Sequence, residues 1–317
     1  MDKESSIKIY GLIGYPVKHS LSPAMHNAAF KYLKERKKIN YDAEYRLFEI
    51  KPEELKDFLL NKDFLVKDTT GKSFYAKEIE GFNITIPHKV KAREILLPGD
   101  FGLTKEVTVR QDHYVFLSGA INTVKRDKNR LEYYNTDSGG FIESLKEDLE
   151  FDTKDKNILI FGCGGAGRAV IAALTWKDTN ISKIYIYDTN KEAVESAKKH
   201  FDRFDFVKDK LEFILAEQIP EKIEGLDLLV NASPVGMNEG DGSVVDKSLL
   251  HRGLSIYDVV YNRETQLIKD AKSLGLHVTD GLGMLLYQGA YSFEFWTDRV
   301  APVEIMRQAL KNKDSPL

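Results

Sequence analysis

The chain has 317 residues, 42% of them hydrophobic and 30% charged, with a formal net charge of −3. That composition excludes wholesale disorder, and 46 Lys and Arg against 49 Asp and Glu leave no basic excess for a nucleic-acid partner. The length suits one large domain or two ordinary ones, and a single Cys excludes an intramolecular disulfide and fits a reducing compartment. The start, Met1 to Ser6, is polar and leads into no apolar signal core, and no run approaches the roughly 20 apolar residues of a membrane span. These features predict a cytoplasmic protein that engages no membrane. No internal period and no low-complexity tract is visible.

In chain order, Ile7 to Ile13 reads as a strand ending at Gly14. A helix over Ser22 to Arg36 follows, with Ser22 as N-cap and Pro23 at the first helical position, both favoured there. Tyr41 to Ile50 alternates as a strand and Pro52 to Leu60 is a short helix. Gly81 to Ile86 is a strand cut by Pro87, which starts a helix carrying Lys89 in its first turn. Ile121–Lys125 and Arg130–Tyr134 form a hairpin around Asp127-Lys128-Asn129, and Ser138 to Leu149 is a helix. The polar stretch Glu150 to Lys156 then reads as a linker. Beyond it, strands at 157–161, 183–188, 227–231, 256–260 and 277–279 are interleaved with helices at 166–176 and 191–201, the pattern of parallel βαβ units. Helices near 284–298 and 302–311 close the chain. The expected organisation is α/β throughout. Residues 1–150 form a mixed-sheet domain and 151–283 a doubly wound, Rossmann-type domain, and the helices from about 284 to 317 pack back on the first domain.

Gly162-Cys-Gly-Gly-Ala-Gly-Arg168 follows a predicted strand and opens a predicted helix. Glycines at Gly162, Gly164, Gly165 and Gly167, with Ala166 among them, allow a tight turn whose N–H groups approach a pyrophosphate at a helix N-terminus. A ligand-free βα turn is the plain alternative. Asp188 ends the next strand, where a carboxylate hydrogen-bonds the adenosine ribose of NAD and repels a 2′-phosphate. It could also be a solvated turn residue, and Lys191 leaves NADP possible.

In the first half, Ser20 and Ser22 flank a helix start that could hold a carboxylate, though capping alone explains Ser22. Asn83 and Thr85 share one face of a strand that would otherwise be apolar. Lys89 opposes the dipole of its own helix. It therefore reads either as a proton-transfer group or as a surface lysine reaching water. Asn122 and Asp137 lie on either side of the hairpin, and Asp137 could be a plain N-cap.

Taken together these blocks resemble the shikimate dehydrogenases over nearly the whole chain. They are Gly14-Tyr-Pro-Val17 with Ser20 and Ser22, Asn83-Ile-Thr-Ile-Pro-His-Lys89, Gly119-Ala-Ile-Asn-Thr123, Asn135-Thr-Asp137 and the glycine turn. Asn231-Ala-Ser-Pro-Val-Gly-Met237, Tyr257-Asp-Val-Val-Tyr261, Gly281-Leu-Gly-Met-Leu285 and Gln288 complete the series. The resemblance implies reduction of 3-dehydroshikimate to shikimate with a nicotinamide cofactor, in aromatic amino-acid biosynthesis. It implies Ser20 and Ser22 on the substrate carboxylate, and Asn83, Thr85, Asn122, Asp137 and Gln288 around the ring hydroxyls and reacting carbonyl. Lys89 and Asp137 would be the catalytic pair, in a cleft between the two domains. Tyr261 and Gly281 would lie where substrate meets nicotinamide, and Ala232 belongs to the cofactor side.

One departure bears on the cofactor. Many members use NADP and carry an Asn-Arg-Thr-like segment after the second strand, whereas Asp188, Thr189 and Asn190 stand there in this chain. The missing basic clamp predicts NAD(H), with NADP(H) possible, and makes a quinate- or shikimate-oxidising dehydrogenase the close alternative. A non-catalytic dinucleotide sensor and an interaction protein with a vestigial nucleotide site are the remoter ones. The expected partner is a small molecule and the expected state a monomer or homodimer. Two stretches, 62–77 and 98–114, exceed the family's usual links and read as surface loops or small hairpins, or as covers of the site or oligomer contacts. Cys163 reads as a packing residue, and the seven His residues show no metal-ligand spacing.

Overall fold

The computed structural model describes residues 7–97, 113–127, 130–176 and 179–312. The first six residues, nearly all of the 98–114 stretch and the Lys128–Asn129 turn lie outside them. The chain runs β1 (Lys8–Gly14), α1 (Ser22–Glu35), β2 (Ala43–Glu49), α2 (Leu55–Leu60), β3 (Leu65–Lys67), β4 (Ser73–Tyr75), β5 (Ile79–Ile84), α3 (Lys89–Leu96), α4 (His113–Ser118), β6 (Thr123–Asp127) and β7 (Arg130–Tyr134). It continues through α5 (Thr136–Glu147), β8 (Asn157–Phe161), α6 (Gly165–Thr175), β9 (Lys183–Tyr187), α7 (Lys191–Phe201), α8 (Asp205–Lys208), β10 (Leu211–Phe213) and α9 (Ile219–Ile223). The last elements are β11 (Leu228–Asn231), β12 (Ser255–Asp258), α10 (Gln266–Ser273), β13 (Val278–Thr279), α11 (Leu282–Thr297) and α12 (Val303–Lys311). Among the described residues no helix is long and apolar enough to cross a membrane.

Two compact units divide the chain: Met1–Thr136 with Leu285–Leu317, and Asp137–Met284. The first division therefore falls after Thr136, the first residue of α5, instead of near residue 150. The physical reason lies in what α5 packs against. Ser138 donates to the Ala169 carbonyl at 2.8 Å, Tyr257 donates to Ser144 at 2.7 Å, and Phe141 lies against the Tyr257 ring.

Unit 1 holds a five-stranded sheet in the order β2-β1-β5-β6-β7. β1 is parallel to β2 and β5, and β5, β6 and β7 form an antiparallel meander, so the sheet is mixed. Its core includes Phe48, Phe58, Phe82, Ile13 and Ile121, each adding roughly 1.5–3 kcal/mol by leaving water. The 62–77 extension is in part a small hairpin, β3 paired antiparallel with β4. On the other face α12 packs on α1, and Trp296 of α11 donates to the Val124 carbonyl at 2.9 Å.

Unit 2 is a six-stranded parallel sheet in the order β10-β9-β8-β11-β12-β13. Numbered within the unit this is 3-2-1-4-5-6, the doubly wound dinucleotide-binding order. Central β8 is buried from Ile158 to Phe161, the continuous apolar run that a strand covered on both faces requires.

At two helix starts the difference from expectation has a local cause. Leu21, not Ser22, is the N-cap of α1, because Ser20 Oγ, two residues ahead, already accepts the Ser22 N–H at 3.2 Å. α3 begins at Lys89, not Pro87: the His88 N–H donates back to the Thr85 carbonyl at 2.9 Å, which places Pro87 inside a turn.

Candidate functional site

In unit 1 the carboxyl ends of parallel β1 and β5 lie beside the amino end of antiparallel β6, the edge at which α/β sheets present ligand-binding groups. The turn after β1 carries Ser20 and Ser22, whose hydroxyls lie 3.2 Å apart at the head of α1. β5 delivers Asn83 and, one residue past its end, Thr85. Lys89 opens α3 half-buried, its backbone pinned where its carbonyl accepts the Ile121 N–H at 2.9 Å. The adjacent His88 is buried and its Nε2 reaches the Ile50 carbonyl at 2.6 Å. Desolvation holds that imidazole below the ordinary histidine range, so a neutral ring ties the Lys89 turn to the end of β2.

Asn83, Asn122 and Gln288 are brought together in one buried network. Asn83 accepts from the Tyr45 hydroxyl at 2.8 Å and donates to Thr123 at 2.9 Å and Ser292 at 2.8 Å. Asn122 accepts the Thr136 N–H at 2.7 Å, donates to the Thr136 hydroxyl at 2.9 Å, and reaches Gln288 at 3.5 Å. Thr123, Thr136 and Ser292 close a triangle of hydroxyls 2.8–3.0 Å apart. Tyr45, Thr123, Thr136 and Ser292 were not among the site residues expected from sequence. A signal existed for Ser292: Gln288 and Ser292 stand one helical turn apart on a largely apolar helix.

In unit 2 the glycine turn joins β8 to α6. Gly162 has φ +95° and donates to the Tyr187 carbonyl at 2.8 Å, and a Cβ on Gly167 would sit 2.0 Å from the Gly162 oxygen. Only glycine fits either position. Gly164 is the N-cap and supplies no side-chain bond, so the first-turn N–H groups through Gly165 and Ala166 project from the helix end as an anion-binding dipole. A cradle of this shape and donor set fits a pyrophosphate.

Asp188 sits beside this turn. One carboxylate oxygen accepts the Cys163 N–H at 2.8 Å and the Cys163 thiol at 3.5 Å; the other accepts the Asn190 N–H at 2.8 Å. Burial, followed by the Asp188 charge, pushes the Cys163 thiol up to about 12, so it is a protonated packing group and no nucleophile. Arg168, the arginine of the turn, is 4% exposed and donates to the Cys163 carbonyl and to Ser196 at 2.8 Å. Lys191 is exposed at the start of α7. Ala232, just past β11, donates to the Phe161 carbonyl at 2.8 Å, and its own carbonyl lies 2.8 Å from where a Gly162 Cβ would be. Tyr261 is half-buried beyond β12, and Gly281 donates to Val260 at 3.3 Å before α11. Asp137 is the second residue of α5, inside its first turn, and belongs to unit 2, whereas Lys89 belongs to unit 1. Among the described residues no group of three or more His, Cys, Asp or Glu is placed to hold a metal.

A sheet in 3-2-1-4-5-6 order with a glycine cradle after its first strand, carried with a mixed-sheet unit that gathers amides, hydroxyls and a lysine at one edge, defines an α/β oxidoreductase of the dinucleotide-linked kind. Residues 12–97 match the shikimate dehydrogenase substrate binding domain, and residues 281–311 the shikimate 5′-dehydrogenase C-terminal domain. The shikimate dehydrogenase (NADP(+)) of Methanopyrus kandleri is 36% identical over 310 residues, covering 97% of this chain and 96% of the relative. The chain belongs to the shikimate dehydrogenase family. Among solved structures, shikimate 5-dehydrogenase from Listeria monocytogenes in complex with shikimate and NAD superposes with a TM-score of 0.75 at 28% identity, covering 98% of this chain and 99% of that one. Quinate dehydrogenase from Corynebacterium glutamicum in complex with NAD does so with a TM-score of 0.75 at 26% identity, covering 96% and 99%.

Proposed function

We propose that the chain catalyses the reversible reduction of 3-dehydroshikimate to shikimate, with Lys89 as the acid–base group and NAD(H) as the preferred cofactor. The observation that carries this reading is the near-full-length family match, 36% identity over 97% of this chain. When bound, the cofactor supplies or accepts the hydride, and the Gly162–Gly167 cradle, Asp188, Ala232, Tyr261 and Gly281 are the residues that would hold it. Ser20 and Ser22 bind the substrate carboxylate. Thr85, Asn122 and Gln288 set the ring hydroxyls, with Asn83 holding the strand end that presents them. The Lys89 ammonium stabilises the oxyanion that develops at the ketone and donates its proton there, with Asp137 as the second residue of the catalytic pair that the family resemblance implies.

The preference for NAD rests on Asp188. Its carboxylate is held in place by two backbone N–H groups, and Arg168 is turned into the protein, so a 2′-phosphate would meet a fixed negative charge without a bidentate clamp. The NADP(+) in the relatives' names points the other way, so the choice calls for direct measurement. A second reading, oxidation of quinate, is favoured by the same carboxylate and by the likeness to an NAD-bound quinate dehydrogenase. Steady-state kinetics on shikimate and on quinate, each with NAD and with NADP, decide both points. The expected result is the highest kcat/KM for shikimate with NAD. A higher value with NADP overturns the cofactor assignment, a higher value on quinate the substrate, and no turnover on either acid the function itself.

A further inference from the structure

Unit 2 buries one carboxylate that the proposed chemistry does not use. Asp258, the last residue of β12, is 0% exposed and stands between three segments. One oxygen accepts the Asn231 side-chain amide at 2.9 Å and the Val260 N–H at 3.1 Å; the other accepts the Thr265 hydroxyl at 2.6 Å. Each partner fixes a different piece of chain. Asn231 also donates to the Val235 carbonyl at 2.9 Å and accepts the Ser233 N–H and hydroxyl at 3.1 and 2.6 Å, so it shapes the 231–235 turn around itself. Val260 precedes Tyr261, and Thr265 caps α10 by accepting the Ile268 N–H. Gly281 is wedged against the same corner: a Cβ there would lie 1.9 Å from the Val259 oxygen.

We propose that Asp258 is a positioning residue for the nicotinamide half of the cofactor site, one carboxylate holding the 231–235 turn, the Val260–Tyr261 segment and the start of α10 in register. This rests on the cofactor reading above. The topology supports it: β8, β9 and β10 with the glycine turn and Asp188 make one mononucleotide half, and β11, β12 and β13 make the other. The three segments gathered on Asp258 all leave the carboxyl ends of strands in that second half. A buried acceptor of this kind is conformationally demanding, because losing it leaves several donors unmatched at once. Burial raises the Asp258 carboxyl to about 6, with Thr265, Val260 and Asn231 pulling it back and Asp280 adding to the rise, so the three donors hold an anion at neutral pH.

Asp258→Asn keeps the shape and replaces one acceptor with a donor. The test is calorimetric titration of the wild-type chain and this variant with NADH and NADPH, and with the nicotinamide-free fragments ADP-ribose and 2′-phospho-ADP-ribose, beside thermal unfolding. The variant is expected to bind the preferred dinucleotide about tenfold more weakly while the matching fragment stays within about twofold. Thr265→Val shifts dinucleotide binding in the same direction and Thr265→Ser restores it, so the prediction stands even where Asp258→Asn fails to fold. Equal losses for dinucleotide and fragment, or no loss in either position's variants, would overturn the positioning role. Wild-type protein that binds neither dinucleotide overturns the cofactor reading itself, and this inference with it.

Discussion

Beside its candidate substrate residues, unit 1 buries neutral groups: the amides of Asn83, Asn122 and Gln288 and the hydroxyls of Tyr45, Thr123, Thr136 and Ser292. At the carboxyl ends of its strands unit 2 instead organises the turns on carboxylates, Asp188 at the glycine turn and Asp258 at the opposite half of the sheet. The difference follows from what each must fix. A substrate pocket built around one catalytic pair gains from an otherwise neutral frame, because each further buried charge would have to be desolvated. Loops made of backbone N–H groups are better gathered by an acceptor-only group with several lone pairs, and a carboxylate is that group.

The largest effect expected from this contrast lies at Lys89. If the frame of unit 1 is neutral so that a single ammonium can act, Lys89→Ala loses about 10²–10⁴ in kcat for shikimate oxidation, with KM changed far less. Lys89→Arg keeps the charge and recovers only a small part, since guanidinium does not give up a proton. Near-normal turnover by Lys89→Ala would break the assignment.

Next in size is the frame itself. The Thr123 hydroxyl meets Asn83, Asn122, Thr136 and Ser292 at 2.8–3.1 Å. Thr123→Val keeps the shape and leaves those partners one bond short, so urea unfolding should show a loss of about 1–3 kcal/mol. A variant as stable as wild type would mean that water or rearranged hydroxyls replace the bond.

How much of this was legible beforehand differs between the units. The tight glycine turn and the strands at 157–161 and 183–187 could be read directly, because a turn of this kind needs a local glycine signature and a buried parallel strand is a continuous apolar run. β10 and α10 are harder to read. Leu211–Phe213 is a three-residue edge strand too short for periodicity, and Gln266–Ser273 is a two-turn helix whose signal is the single N-cap Thr265, held by Asp258 seven residues earlier. The unit 1 network was hidden for the same reason: Ser292 meets Asn83 across 209 positions of sequence, so the strand face could be seen to be polar but not what answered it. The Pro87 start of α3 was misplaced because a proline at a helix head and a proline inside the preceding turn carry the same local signature.

On the unit 2 side, Asp188→Ser removes the charge that a 2′-phosphate would meet while leaving a short acceptor for the Cys163 N–H. The ratio of kcat/KM with NADPH to that with NADH should rise about tenfold, mostly through KM. An unchanged ratio would mean that cofactor choice is made elsewhere and that Asp188 serves only to shape the turn.

The smallest effect tests whether the aromatic cluster around Tyr45 in unit 1 is held neutral. His26 is fully buried, stacked on the Tyr45 ring with centroids 4.3 Å apart, and neither ring nitrogen has a hydrogen-bond partner. Desolvation lowers its pKa from 6.5 to about 3. Between those values the unfolded chain binds a proton that the folded chain refuses, so His26 costs stability increasingly as pH falls below the ordinary histidine value and costs little above it. From about pH 7 to about pH 6 that amounts to roughly 0.7 kcal/mol, over a range in which ordinary carboxylates stay ionised. His26→Phe keeps an aromatic plate on Tyr45 and removes the titration. Its stability relative to wild type should therefore grow by about that amount over the interval, whatever constant offset the larger ring adds at neutral pH. A variant whose advantage does not change with pH would show that the folded protein accepts a proton at His26, and that the neutral surroundings of Tyr45 stop short of this residue.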